Sequence, residues 1–191
     1  MIEFMTEYIT EALVLDKEES GEMDGLITLY TEELGKVVCR AKSIKKSVSK
    51  LNGHIEPLNF VLSRLIEKGS FQMVDALTIE SNIDLKDNPE ILAKFLRILG
   101  FLKTMTFEFH PDLRLWAAIK KIFKERAAND YNEKLIYGAF LKIFGFDPEF
   151  ASCALCHRKE AAAFVKSEHL FLCNNCTSKV PQNEIILINN A

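Results

Sequence analysis

Two cysteine pairs, Cys153-Ala-Leu-Cys156 and Cys173-Asn-Asn-Cys176, stand sixteen residues apart late in the chain. That spacing reads as a closed zinc site. Four thiolates delivered as two knuckles saturate a tetrahedral Zn²⁺, and the length between them lets the second pair fold back on the first as a short hairpin. Two disulfides, or four core cysteines that merely fall at this spacing, are the competing readings, and no secretory segment argues for oxidation. A four-cysteine site has no open coordination position for water, so one structural zinc bound by Cys153, Cys156, Cys173 and Cys176 should hold the fold and catalyse nothing. The fifth cysteine, Cys39, lies far away in a β-like run, where a small buried hydrophobe is the expected role.

The second pattern with chemical consequence is electrostatic. Formal net charge is only −3, but residues 34–55 hold Lys36, Arg40, Lys42, Lys45, Lys46 and Lys50 with no Asp or Glu. The preceding segment is acidic: Glu18, Glu19, Glu22, Asp24, Glu32 and Glu33. One cationic stripe on an otherwise acidic chain predicts a surface for a polyanion such as a nucleic-acid backbone, with these six side chains neutralising its phosphates. The alternative is a solvated lysine loop that protects a sheet edge. No GxxxxGK[ST], HExxH, GxSxG or Gly-rich dinucleotide fingerprint occurs, and His110-Pro-Asp112 reads as an ordinary turn and helix start. An enzyme is therefore not expected.

The elements that must position these groups form an α+β chain. Five short runs rich in β-branched and aromatic residues, 10–15, 25–30, 36–41, 58–65 and 71–77, alternate with Gly21, Gly35, Gly53 and Gly69. They suggest an OB-like five-stranded barrel over residues 1–80, whose longest connection, 42–57, carries most of the cationic stripe; Tyr30 and Phe60 are its candidates for stacking on bases. Residues 81–191 read as a helical domain. Asn88-Pro89-Glu90 starts a first helix with Ile91, Leu92, Phe95, Leu96, Ile98, Leu99 and Leu102 inward. A second follows Pro111, with Leu115, Trp116, Ile119, Ile122 and Phe123 on one face. A third, about 131–144, turns Leu135, Ile136, Phe140, Leu141 and Phe144 inward and stops at Gly145. The three are expected to pack as a bundle that also receives the zinc hairpin, about 150–180, with residues 185–188 as a last strand or docking segment. Acidic residues at the amino terminus, where a signal peptide needs a cation, and the absence of ~18 uninterrupted apolar residues predict a cytoplasmic protein without a membrane partner.

The combination resembles the bacterial RecO family of recombination-mediator and DNA-repair proteins. Gly21-Glu22, Asp24, Thr31, Gly35-Lys36, Ala41-Lys42, Ser49 and Pro57 fall in the family's order in the first half; residues 135–146, Asp147-Pro148-Glu149-Phe150 and Cys153-Ala-Leu-Cys156 do so in the second. Ser43 stands where the family usually has Gly, and so does His157 after the first knuckle. The resemblance implies an OB fold, a helical domain and a structural zinc. It also implies binding of single- and double-stranded DNA, annealing of complementary strands, and, together with RecR, help for RecA in replacing single-stranded-DNA-binding protein (SSB). Such a protein would be nucleoid-associated. The family's helical domain is implied to receive the acidic, Phe-ending SSB tail. In this chain Trp116, Lys120, Lys121 and Lys124 of the second helix offer an apolar group and cations within about two turns. A zinc-stapled protein–protein adaptor that leaves DNA alone is the alternative function.

Overall fold

The computed structural model describes residues 5–21, 23–44, 51–82, 85, 87–125 and 132–188. By contacts the chain divides into two compact units, Met1–Asp112 and Leu113–Ala191.

The first unit is built on β1 (Thr6–Ser20), β2 (Asp24–Thr31), β3 (Gly35–Ala41), β4 (Phe60–Lys68) and β5 (Ser70–Glu80). The five runs expected from sequence are these five strands. Their pairings close in the order β1-β2-β3-β5-β4, the order of an OB-like barrel. β1 serves two neighbours: residues 6–13 pair with β4 and residues 12–20 with β2, and the register shifts between Val14 and Asp16. The closing seam is the short parallel pairing of Cys39, Arg40 and Ala41 with Phe71, Gln72 and Met73. Alternation supplies the core, since Ala12, Val14, Ile27, Leu29, Val37, Cys39, Ala41, Val61, Leu65 and Met73 all turn inward. Cys39 is 1% exposed and burial pushes its thiol up to about 12, so it is an inert core side chain, as its position suggested.

Helix α1 (Pro89–Met105) begins where the sequence says it should. The Asn88 side chain accepts from the N–H groups of Glu90 and Ile91, with Pro89 at the first helical position. It packs on β1 within the first unit. Polar ties reinforce that docking: Lys103 Nζ donates to Glu18 at 2.7 Å and also pairs with Asp16, while Lys36 Nζ donates to the Lys103 carbonyl at 2.9 Å. β5 ends at Glu80, and the compact unit runs on to Asp112 with α1 packed on β1.

The second unit contains α2 (Leu113–Lys124) and α3 (Glu133–Ile143), which pack on each other, and a three-stranded sheet ordered β7-β6-β8. Its strands are β6 (Ala163–Val165), β7 (Leu170–Leu172) and β8 (Ile185–Leu187). The last strand expected at 185–188 is thus β8. Gly145 ends α3 at φ +88°, with the Phe146 N–H returning to the Leu141 carbonyl at 2.8 Å. Leu135, expected inward, is 69% exposed, because the buried face of α3 is Ile136, Tyr137, Phe140 and Leu141. No described helix is long and apolar enough to cross a membrane.

Candidate metal centre and nucleic-acid surface

In the second unit the cysteine pairs meet. The four Sγ atoms of Cys153, Cys156, Cys173 and Cys176 all lie within 4.8 Å of one another, and Cys156 Sγ is 3.5 Å from Cys173 Sγ. Four sulfurs ~2.3 Å from one metal would be ~3.8 Å apart, so the cluster fits a tetrahedral ion with little adjustment. Local structure makes each knuckle. In the first, the Cys153 N–H reaches the Arg158 carbonyl and the His157 N–H reaches the Cys153 carbonyl, both at 2.8 Å. In the second, Cys173 precedes the single turn α4 (Asn174–Thr177), and the Cys176 N–H closes on the Cys173 carbonyl at 2.9 Å. The Ala154 N–H donates to the Phe171 carbonyl, fixing the first knuckle to β7. Cys153, Cys173 and Cys176 are buried with Val165 and Leu172, and Cys156 faces solvent.

The electrostatics suit a cation. Burial pushes the Cys153 thiol up, but the N–H groups of Cys173, Cys156 and Leu155 outweigh it and bring it down to about 6. Burial likewise raises Cys173, and hydrogen bonds from the Cys156 thiol and the Cys176 N–H leave it below its ordinary value. Burial and the neighbouring sulfurs push Cys176 up to about 12. A cluster in which some thiols ionise early and another resists is one where thiolates repel, and a divalent cation removes that repulsion. These four residues could therefore hold a metal ion, which would fix the two knuckles as one piece.

In the first unit, the cationic stripe separates into side chains with different surroundings. Lys36 is half-buried on β3; burial lowers its ammonium, the nearby Glu108 raises it, and its Nζ is engaged by the Lys103 carbonyl. Arg40 is exposed and forms an ion pair with Asp24 at 2.7 Å, while Lys42 is exposed just past the end of β3. Lys45, Lys46 and Lys50 lie outside the described residues. The loop that carries them is anchored at both ends: Ile44 and Ile55 are 2% and 0% exposed in the barrel core, and Lys17 Nζ donates to Asn52 and Glu56, each at 2.6 Å. Asp24 organises the loop's root. It accepts from the Ser43 N–H at 2.8 Å and from Arg40 Nε at 2.9 Å, and these hold its carboxyl below the usual value against a push upward from burial.

Neither aromatic proposed for stacking is available. Tyr30 and Phe60 are 1% and 5% exposed. Tyr30 is covered because the backbone N–H of Asp112 closes on its hydroxyl at 3.2 Å. The exposed rings of this unit include Phe107 at 68% and Phe109 at 52%; their only mark in the sequence is the aromatic alternation of Phe107-Glu-Phe109 directly after a helix end. On α2, Trp116 is 3% exposed with Lys120 Nζ 5.6 Å from its ring centroid, whereas Lys120, Lys121 and Lys124 are exposed. Lys120 and Trp116 are thus brought together, as a cation over a packed ring.

Comparison with known proteins agrees with both ends of the chain. Residues 5–82 match the family model described as Recombination protein O N terminal, and residues 136–189 match Recombination protein O C terminal. The chain belongs to the RecO family. It is 26% identical over 181 residues to a DNA repair protein RecO of Dehalococcoides mccartyi, covering 89% of this chain and 70% of that one. It is similar at 27% to the DNA repair proteins RecO of Myxococcus xanthus (80% of this chain, 64% of that one) and Bacillus pumilus (90% and 69%). The two departures noted from the RecO pattern are both structural: Ser43 and His157 hold φ of +57° and +60°, the left-handed region that favours glycine.

Proposed function

We propose that this chain is a DNA-binding mediator of repair and recombination that anneals complementary single strands and, with RecR, promotes RecA loading on SSB-coated DNA. Membership of the RecO family supports the repair and recombination role. The observation that carries DNA binding is the exit of β3, where Arg40 and Lys42 stand exposed at the root of a lysine-rich loop anchored in the barrel. Phosphates approaching there would share the Arg40 guanidinium with Asp24 and recruit Lys42, Lys45, Lys46 and Lys50, giving affinity that is largely independent of sequence and steeply dependent on salt. Lys36 contributes field more than contact, since its ammonium is held by the Lys103 carbonyl.

The metal is assigned as zinc with a structural role, because four cysteine donors match its preference and leave no site for substrate water. No bond-making step is assigned to this protein. For the SSB tail, the support is the row of exposed cations Lys120, Lys121 and Lys124 on α2, with Trp116 packed beneath Lys120. The test is charge reversal: Lys42→Glu, Lys45→Glu and Lys46→Glu together should abolish annealing of complementary oligonucleotides while the protein melts as before. Unchanged annealing would favour the adaptor reading, in which the loop is merely solvated.

A further inference from the structure

The segment after α1 carries two phenylalanine rings that the fold leaves in solvent, Phe107 and Phe109. They are not on a free loop. Glu108 bridges Lys36 in parallel register and the Phe109 N–H donates to the Lys36 carbonyl at 3.1 Å, so residues 107–109 run beside the start of β3 as a short added strand. His110 Nδ1 lies 2.7 Å from the Glu108 carbonyl, and its ring meets Phe107 edge-on, centroids 6.2 Å apart. Beyond it, the backbone of residues 110 and 111 passes so close over Gly35 that a Cβ there would fall 2.5 Å from the His110 carbonyl oxygen.

Phe109 itself holds φ +59°, a conformation that bulky side chains rarely adopt. The result of that backbone is a backed ring. Phe109 stacks on Phe71 with centroids 5.4 Å apart and planes 28° apart, and Phe71 meets Tyr8 at 5.8 Å. Phe71 is 7% exposed, so the stack begins in the barrel core and ends in solvent at a ring that is half open. Strain retained to present an aromatic surface, instead of to bury one, is characteristic of preorganised contacts.

We propose that Phe107 and Phe109 form a stacking platform for the bases of single-stranded nucleic acid, placed beside the start of β3. This rests on the DNA-binding reading above and adds where the bases go. Ring faces accept any base, which matches binding that is not sequence-specific. From Lys36, the neighbour of the platform, β3 runs ~13 Å to Arg40 at ~3.3 Å per residue and then to Lys42, so a strand stacked on the rings can lay its phosphates toward those cations. The carboxylate within the platform, Glu108, lies near enough to the Lys36 ammonium to act on it.

The experiment compares a thymine oligonucleotide with an abasic phosphodiester strand of equal length, using the full chain. The parent should bind the base-bearing strand roughly tenfold more tightly, and Phe107→Ala should remove most of that preference while leaving abasic binding and the salt slope unchanged. Phe107→Trp should show indole quenching by the thymine strand and none by the abasic strand. Equal binding of both strands by the parent, or full preference retained in Phe107→Ala and in Phe109→Ala, would overturn the platform while leaving phosphate binding intact. Failure of the parent to bind either strand would instead remove the DNA reading on which the platform depends, and loss of a protein partner alone in Phe107→Ala would make the rings a protein contact.

Discussion

At the scale of single residues, backbone conformation separates positions that tolerate change from those that do not. Gly35 holds φ +69° with the backbone of His110 and Pro111 directly over it, so Gly35→Ala adds both a left-handed alanine and a steric conflict with main chain. Destabilisation of at least about 2 kcal/mol is expected, read as a shift in urea midpoint. The converse holds at Ser43 and His157, which carry side chains in the left-handed region. Replacing His157 by Gly removes that cost and keeps the N–H bond to the Cys153 carbonyl, for a net gain of about 0.5–1 kcal/mol after the greater freedom of glycine in the unfolded chain. A lower midpoint for His157→Gly would show that its side chain does something the backbone reading misses. Both departures were visible in the sequence against the family pattern; that both sit at positive φ was not, because a side chain does not announce the turn it has been forced into.

At the scale of elements, the sequence was most informative where a pattern is local. The cysteine knuckles, the Asn88-Pro89 helix start and the Gly145 stop all depend on neighbours within a few residues, and each was legible. What depended on distant partners was less so. The parallel β3–β5 seam and the hydrogen bond from the Asp112 N–H to the Tyr30 hydroxyl involve segments more than thirty residues apart, so parity along β2 could not show that Tyr30 is buried. The docking of α1 is similar, since its apolar stripe predicts burial but not against what. Its polar ties yield a prediction. Burial pushes the Asp16 carboxyl up, and the hydrogen bonds from Lys103 and the Lys17 N–H outweigh it, leaving it below its ordinary 3.8; Asp16 and Glu18 hold Lys103 above its ordinary 10.5. A depressed acid contributes stability above its unfolded value and loses it as pH falls through the folded one; a raised lysine contributes below its unfolded value and loses it as pH rises through the folded one. The pair therefore stabilises across neutral pH. Both side chains are about a third exposed, so Lys103→Met should cost no more than about 1 kcal/mol at pH 7. The difference from the parent should shrink below pH 3.8. A difference independent of pH would assign the loss to packing of the lysine stem instead.

The four-cysteine element carries a larger prediction. One zinc per chain is expected by metal analysis, and Cys153→Ser or Cys173→Ser should give unstable or insoluble protein, since structural zinc contributes several kcal/mol and ~10 or more in isolated finger peptides. A quadruple serine variant that folds fully with an unchanged melting temperature would remove the structural role.

For the whole molecule, a net charge of −3 gives no general attraction to DNA, so the proposed binding would have to come from a local field. The outer face of β1 and β4 presents Glu7 and Glu11 with Arg64 engaged by Glu7, whereas the far end of β3 presents Arg40 and Lys42. DNA is thus expected on the β3 side of the barrel. The most direct measurement is a salt titration of single-stranded DNA binding by the full chain, followed by fluorescence anisotropy. If Arg40, Lys42, Lys45, Lys46 and Lys50 supply about four to five phosphate contacts, log K should fall against log salt with a slope of about −3, and the triple charge reversal should flatten it. An affinity that does not change with salt, or one weaker than ~100 µM at low salt, would contradict DNA binding through this loop.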